Sequence, residues 1–258
     1  MTNEELDRAL RQLRLGGMAD TVVVRAQQAR ADSLGPIDFL GLLVHDEVNR
    51  RRDRLIERRA KSAAFRDRKT LDTFDWKFNP SIDRALVYEL ATGRFIEQRQ
   101  DALILGNPGC GKSHLAQGLG MAAIHAGFSV CYREAHRLFE DLVLAEACDE
   151  RAAAIAELST VPLLIIDDVG MRKLPAAAAE DLLELVMRRY ERASTIITSN
   201  RPLEDWPKLF GDTPAVGAFL DRLMHHGHLI EIRGKSYRLH ESSLTRSNRT
   251  AIHAPLPG

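Results

Sequence analysis

Eight consecutive residues, Gly106-Asn107-Pro108-Gly109-Cys110-Gly111-Lys112-Ser113, constrain the fold of this chain more than any other stretch. The apolar run Ala102-Leu103-Ile104-Leu105 precedes them, and Leu115, Leu119, Ala122 and Ala123 follow at helical spacing. The order is therefore strand, glycine-rich loop, helix. Glycines allow the loop backbone to take positive φ and bring successive N–H groups close to an anion, and the helix behind them adds the positive end of its dipole. Lys112 is placed to neutralise β- and γ-phosphates, and the Ser113 hydroxyl to hold Mg²⁺. The stretch reads as a phosphate cradle.

A second stretch supports this reading. Pro162-Leu163-Leu164-Ile165-Ile166 is continuously apolar, as a strand buried on both faces of a parallel sheet should be, and it ends in Asp167-Asp168. At the C-terminal end of such a strand, Asp167 can hold the Mg²⁺ water shell and Asp168 can orient an attacking water. Thr195-Ile196-Ile197-Thr198 forms a further strand, and Asn200 just beyond it offers an amide to the same water or to the γ-phosphate. Ser129 to Tyr132 and Leu229 to Ile232 are two more strands, with helices between them. Strands alternating with helices of ten or more residues predict an α/β fold with a parallel sheet, helices on both faces and ligand at the strand C-termini.

The rest of the chain sets limits on partners and compartment. Its 36 basic and 36 acidic residues cancel, so a polyanion would have to be met by a local patch. Cys110, Cys131 and Cys148 are odd in number and widely spaced, which argues against a disulfide framework. No apolar run approaches the roughly 18 residues of a membrane span, and the acidic start Met1-Thr2-Asn3-Glu4-Glu5 is unlike a signal peptide. The expected location is the cytoplasm, with no membrane partner. His225, His226 and His228 lie close together, but no Cys or carboxylate completes a ligand set with them, and Gly227 suggests a turn.

Before the strand that leads to the cradle, the chain is helical. Leu6, Leu10 and Leu13 share one helical face, Gly16-Gly17 should break that helix, and Met18, Val22 and Val23 begin a second. Pro36 opens a third helix through Ile37, Leu40, Val44 and Val48. It leads into residues 50–69, where ten Arg or Lys stand against three acids. Such a run is either a solvated helix face or a set of phosphate-backbone contacts, whose binding would weaken steeply with salt and carry little sequence information. Leu71 to Pro80 alternates aromatic and polar residues like an extended linker. Phe74, Trp76 and Phe78 either pin that linker to the next domain or border an adenine ring. Residues 82–97 read as one further helix.

These pieces together resemble the IstB family, ATP-binding helper proteins encoded beside the transposase in one class of bacterial insertion sequences. Members are AAA+ P-loop ATPases similar to the helicase loader DnaC and the initiator DnaA. The resemblance spans roughly residues 5–240. It rests on Lys69 to Asp75, the cradle, Asp167-Asp168-Val169-Gly170, Thr198-Ser199-Asn200-Arg201-Pro202, Asp221-Arg222-Leu223 and Gly234-Lys235-Ser236-Tyr237-Arg238-Leu239.

By position, the resemblance makes Gly106, Asn107, Pro108, Gly109, Cys110, Gly111, Lys112, Ser113 and His114 the nucleotide-binding loop. Ser113 and Asp167 are then the Mg²⁺ residues, Asp168 the catalytic base counterpart and Asn200 the sensor-1 residue. Arg222 matches the arginine finger that acts on a neighbouring subunit's nucleotide, and Arg238 the sensor-2 arginine. The cofactors implied are ATP and Mg²⁺, and a finger in trans implies a homo-oligomer with nucleotide at its interfaces. Two departures stand out. Most AAA+ proteins carry Glu where this chain has Asp168, which implies slow hydrolysis, and too few residues follow Arg238 for the usual helical lid.

The domains expected are a helical N-terminal domain at 1–69, an AAA+ ATPase domain at 70–240 and a disordered tail at 241–258. The expected activity is ATP-dependent oligomerisation on duplex DNA, recruitment and stimulation of a transposase, and disassembly driven by ATP hydrolysis. Arg50, Arg51, Arg52, Arg54, Arg58, Arg59, Lys61, Arg133 and Arg137 are the candidate DNA contacts. The alternative is a DnaC-type helicase loader acting on single-stranded DNA. A small-molecule P-loop kinase and an ATP-binding adaptor without turnover are more distant possibilities.

Overall fold

Residues 2–172, 174–175, 177–210, 214–234 and 236–237 are described by a computed structural model. They form two units that divide between Arg59 and Ala60. Residues 60–69, assigned to the helical domain from sequence, lie in the second unit.

The first unit is built from α1 (Asn3–Gln12), α2 (Gly16–Ala31) and most of α3 (Pro36–Ser62). Thr2 starts α1 with a capping box: its hydroxyl accepts from Glu5 N, and the Glu5 carboxylate accepts from Thr2 N. The glycine pair does not end this helix. The turn lies at Leu13–Leu15, where Arg14 takes φ 60°, and Gly16-Gly17 begin α2. Close packing explains the glycine at 17, since a Cβ there would lie 2.7 Å from the Glu47 Cα on α3. Glu47 uses that proximity to accept from Gly17 N at 2.6 Å, placing a carboxylate at the positive end of α2. Asp46 accepts a two-pronged bond from Arg25 at 2.7 and 2.8 Å, which holds its carboxyl down at about 2.

In the second unit five strands form one parallel sheet: β1 (Ala102–Gly106), β2 (Val130–Glu134), β3 (Leu163–Val169), β4 (Ser194–Ser199) and β5 (His228–Ile232), in the order β2-β3-β4-β1-β5. Leu103, Leu105, Leu164, Ile166 and Ile197 point into a core formed with α7 (Ala135–Ala147), α8 (Arg151–Thr160), α9 (Ala178–Arg189) and α11 (Pro214–His225). The alternate residues Ile104, Ile165 and Ile196 are fully buried on the opposite face, the period-two arrangement of a sheet covered on both sides. The segment predicted as one helix at 82–97 is two, α4 (Arg84–Ala91) and α5 (Arg94–Glu97), because Gly93 turns the chain at φ 83°. α6 (Lys112–His125) follows the cradle, and the short α10 (Trp206–Leu209) precedes α11.

The linker at 70–80 is not extended. It is a series of turns closed by bonds such as Phe74 N to Leu71 O and Phe78 N to Asp75 O, with the Asp75 carboxylate also accepting from Lys77 N. Among the described residues no helix is long and apolar enough to cross a membrane. The tail at 241–258, and with it the question of a lid, lies outside the described residues.

Candidate functional site

β1 delivers the chain to the cradle at the C-terminal edge of the sheet, the edge where parallel α/β folds bind ligands. Gly111 caps α6 in a left-handed conformation, φ 105°, and a Cβ there would lie 2.8 Å from the Phe74 ring. Glycine thus serves both the turn and the close approach. The Lys112 ammonium is buried and donates to Gly106 O at 2.9 Å and Asn107 O at 3.0 Å, closing the loop on itself. The thiol of Cys110 is buried and its pKa is raised by that burial.

A cavity of about 420 Å³ opens over this loop, within the size range of small-molecule sites. Pro108, Gly109, Cys110, Gly111, Lys112, Ser113 and His114 line it from the cradle, and Asp168 lines it from the end of β3. Arg66 and the linker residues Phe74, Phe78 and Asn79 line it as well, and Tyr237 also faces the cavity.

Phe74 is buried with its ring edge-on to His114 and also lines the cavity, and Trp76 stacks on Tyr88 and pins the linker. Phe78 lines the cavity, edge-on to Tyr237. Hydrogen bonds fasten the linker further. His114 Nε2 meets Thr70 O at 2.9 Å and Thr73 Oγ1 at 3.1 Å, and Asn79 Nδ2 donates to Cys110 O at 2.8 Å. Burial holds the His114 imidazole below its ordinary pKa.

The two acids of the pair differ. Asp167 is fully buried, and its carboxylate accepts from the Tyr132 phenol and the Thr198 hydroxyl, each at 2.5 Å. It is not among the cavity-lining residues; Asp168 is. A break in the β3–β4 register between Ile166 and Val169 produces this arrangement, with Asp168 at φ 61° and its N–H donating to Thr198 Oγ1 at 2.9 Å. Asp tolerates that backbone better than most residues. One threonine hydroxyl therefore fixes both acids.

Asn200 follows β4, and its Oδ1 is buried with no hydrogen-bond partner among the described residues. Asn200 is not among the cavity-lining residues; its open acceptor has room for a bond from a water. Arg222 lies elsewhere, on α11, ion-paired with Asp221 at 2.7 Å and positioned over the Tyr190 ring at 5.9 Å. Arg238 lies outside the described residues. Of the three neighbouring histidines, His225 bonds Tyr190 and His228 faces Gln100.

The basic run is only partly available to a ligand. Arg50 donates to Gly16 O and pairs with Asp20, and Arg51 donates to Glu47 at 2.7 Å and to Arg14 O at 3.1 Å, so both staple the first unit. Arg52, Arg54, Arg58 and Arg59 continue along α3 to Lys61. In the second unit Arg133 donates to its neighbour's carbonyl, Tyr132 O, and the exposed Arg137 pairs with Glu134 at 3.2 Å.

Tyr132, Thr198, Asn79 and Arg66 were not singled out as site residues from sequence. Arg66 was visible only as one cation in a run of ten, and nothing in the sequence distinguishes it from the others.

The family model of the IstB-like ATP binding protein matches residues 8–245. A Pseudomonas aeruginosa protein of insertion sequence IS21, described as ATP-binding, is 38% identical over 92% of this chain and 89% of its own length. Its counterpart from insertion sequence IS5376 of Geobacillus stearothermophilus is 35% identical over 93% of this chain and 96% of its own. Among solved structures, the DnaC helicase loader superimposes with a TM-score of 0.51 at 22% identity, over 64% of this chain and 96% of that one, a likeness of fold.

Proposed function

This chain belongs to the family of IstB-like ATP-binding proteins of insertion sequences, and on that premise we propose that it is an ATP-hydrolysing helper of transposition. In this reading it assembles on duplex DNA with ATP, recruits and stimulates its transposase, and disassembles on hydrolysis. The observation that carries the nucleotide part is the single cavity wall shared by Lys112, Ser113 and Asp168.

The residues fit a nucleoside triphosphate. Loop N–H groups and the N-terminus of α6 receive the phosphates, and Lys112 exchanges its bonds to Gly106 O and Asn107 O for phosphate oxygens. Of the Mg²⁺ residues that the resemblance implies, Ser113 presents its hydroxyl oxygen on the cavity and would hold the ion there. Asp167 is buried behind the cavity, its carboxylate held by Tyr132 and Thr198. A bound Mg²⁺ would neutralise phosphate charge. Asp168 orients the attacking water, and the open Oδ1 of Asn200 accepts from it. Phe78 and Tyr237 are the candidates to flank the base.

Arg222 has no role inside its own cavity in this reading. It leaves Asp221 and Tyr190 to reach nucleotide on a neighbouring subunit, which makes turnover depend on assembly. Arg52, Arg54, Arg58, Arg59 and Lys61 on α3, with Arg133 and Arg137 in the second unit, are the proposed phosphate-backbone contacts.

The test is fluorescence anisotropy of labelled duplex and single-stranded DNA without nucleotide, with ADP, and with a non-hydrolysable ATP analogue, at two salt concentrations. Salt-sensitive duplex binding that needs the ATP analogue is the expected result. Binding to single strands alone would replace this reading with that of a helicase loader, and no DNA binding in any state would remove the DNA function.

A further inference from the structure

Arg66, a few residues before the linker, lines the cavity, and its guanidinium reaches the carboxylates at the strand ends. Its Nη1 stands 3.1 Å from Glu134 Oε1, at the end of β2, and 3.5 Å from Asp168 Oδ2, at the end of β3. The side chain is about one-third exposed (35%) and faces the same cavity as Lys112 and Ser113. Burial pulls its pKa down, but Tyr132, Glu134, Asp167 and Asp168 together outweigh that and hold it above the ordinary value.

The backbone that carries Arg66 is fixed on both sides. Phe65 packs its ring on Tyr132 with centroids 5.9 Å apart, and Tyr132 N donates to Ala63 O at 2.9 Å. On the other side, Asp67 N donates to Gln117 Oε1 at 2.9 Å, and Gln117 Nε2 donates to Ser113 O at 3.1 Å. The segment at 63–67 is thus bonded to β2 and to the first turns of α6. Glu134 would not be stranded by a move of the Arg66 side chain, because Arg137 pairs with its other oxygen at 3.2 Å.

We propose that Arg66 acts within its own subunit as a sensor of the terminal phosphate. Without that phosphate it is paired with Glu134 and Asp168; with it, the guanidinium turns to the phosphate oxygens. A planar fork with several donors suits this exchange between two carboxylates and a phosphate. A diphosphate lacks the group that draws Arg66 away, so the guanidinium stays on the carboxylates. Arg66 is a nucleotide-binding residue in this scheme. The proposal rests on the nucleotide reading of the cavity.

The test compares affinities for ADP and for a non-hydrolysable ATP analogue, both with Mg²⁺, in the wild type, Arg66→Ala and Glu134→Gln, using the full chain and calorimetry. A charge-assisted hydrogen bond is worth about 1.5–3 kcal/mol, so Arg66→Ala should lose roughly tenfold or more in analogue affinity while ADP affinity stays within about twofold. Glu134→Gln removes a competitor for the guanidinium and should strengthen analogue binding several-fold with ADP unchanged. It also keeps the idea testable should Arg66→Ala fail to fold. Equal losses for both nucleotides in Arg66→Ala, or an unchanged ratio in either variant, would overturn the sensor while leaving the nucleotide site standing. A wild-type protein that binds neither nucleotide would remove the nucleotide reading itself.

Discussion

The Tyr132 phenol on β2 donates a 2.5 Å hydrogen bond to Oδ2 of Asp167 on β3, and the Thr198 hydroxyl on β4 gives the same carboxylate its second bond. Three adjacent strands are thereby joined behind the cavity by one fully buried acid. Tyr132→Phe keeps the ring and leaves the carboxylate short of a donor, at a cost of about 1–3 kcal/mol in urea unfolding near neutral pH. An alkaline dependence should vanish with it. Burial and then Asp167 raise the phenol's pKa, so the fold favours the protonated form. Its contribution is complete below the unfolded value of about 10 and is lost as pH rises beyond it. Tyr132→Phe should flatten that fall; stability equal to wild type both near neutral pH and above pH 10 would remove the role given to this bond.

Asp101 offers a second pH test, away from the cavity. It is buried just before β1, accepts from Thr195 N at 2.7 Å, and burial pushes its pKa up to about 6 despite nearby Arg189. A raised value means that the folded state holds the proton more tightly than the unfolded one. The group's contribution is therefore complete below about pH 4 and is lost as pH rises through 6, a swing on the order of 3 kcal/mol. Asp101→Asn keeps an acceptor for Thr195 N and removes the titration. Wild type and variant should differ little at pH 4, and the variant should gain relative stability by pH 7. Parallel denaturation curves across that range would contradict the burial argument.

The features legible in the sequence were those carried by local pattern. The continuous apolar runs at 102–105 and 162–166 require strands buried on two faces, and the glycines of the cradle require a turn that few other sequences make. The division of labour between Asp167 and Asp168 was not legible, because it depends on a register break against β4 and on Thr198, thirty or more residues away. Gly16-Gly17 suggest a helix break in the sequence but open α2 in the structure, for a related reason. Their purpose is set by the α3 backbone beside them, and a close approach leaves no mark in the local pattern. Arg66 shows the same limit: a basic run counts its charge but not that Phe65 and Asp67 fix it at the ends of β2 and β3.

Lys112→Ala tests the cradle. Any ligand that binds the folded state alone raises the melting temperature by mass action, about 2.7 kcal/mol of stabilisation at a hundredfold excess over Kd. ATP with Mg²⁺ should stabilise the wild type in a thermal shift assay and leave Lys112→Ala where it melts without nucleotide. A shift of the same size in the variant would show that nucleotide does not use the ammonium now bonded to Gly106 O and Asn107 O.

Arg222 provides the test of assembly. Its guanidinium lies over Tyr190 and against Asp221 and does not line the cavity, so its loss should spare nucleotide binding. Arg222→Ala should therefore show a normal thermal shift with ATP and a deep loss of turnover, of the order of 10³-fold if it serves as fingers in other nucleotide hydrolases do. Lys112→Ala should be inactive for the opposite reason, since its finger is intact and its own cradle is impaired. Mixing the two inactive variants gives assemblies in which an Arg222→Ala cradle faces a neighbour that still carries Arg222. Such a mixture should recover a measurable fraction of wild-type ATPase activity, rising with protein concentration. Two variants that remain as inactive together as apart, at concentrations where the wild type turns over, would mean that Arg222 acts within its own subunit or not at all.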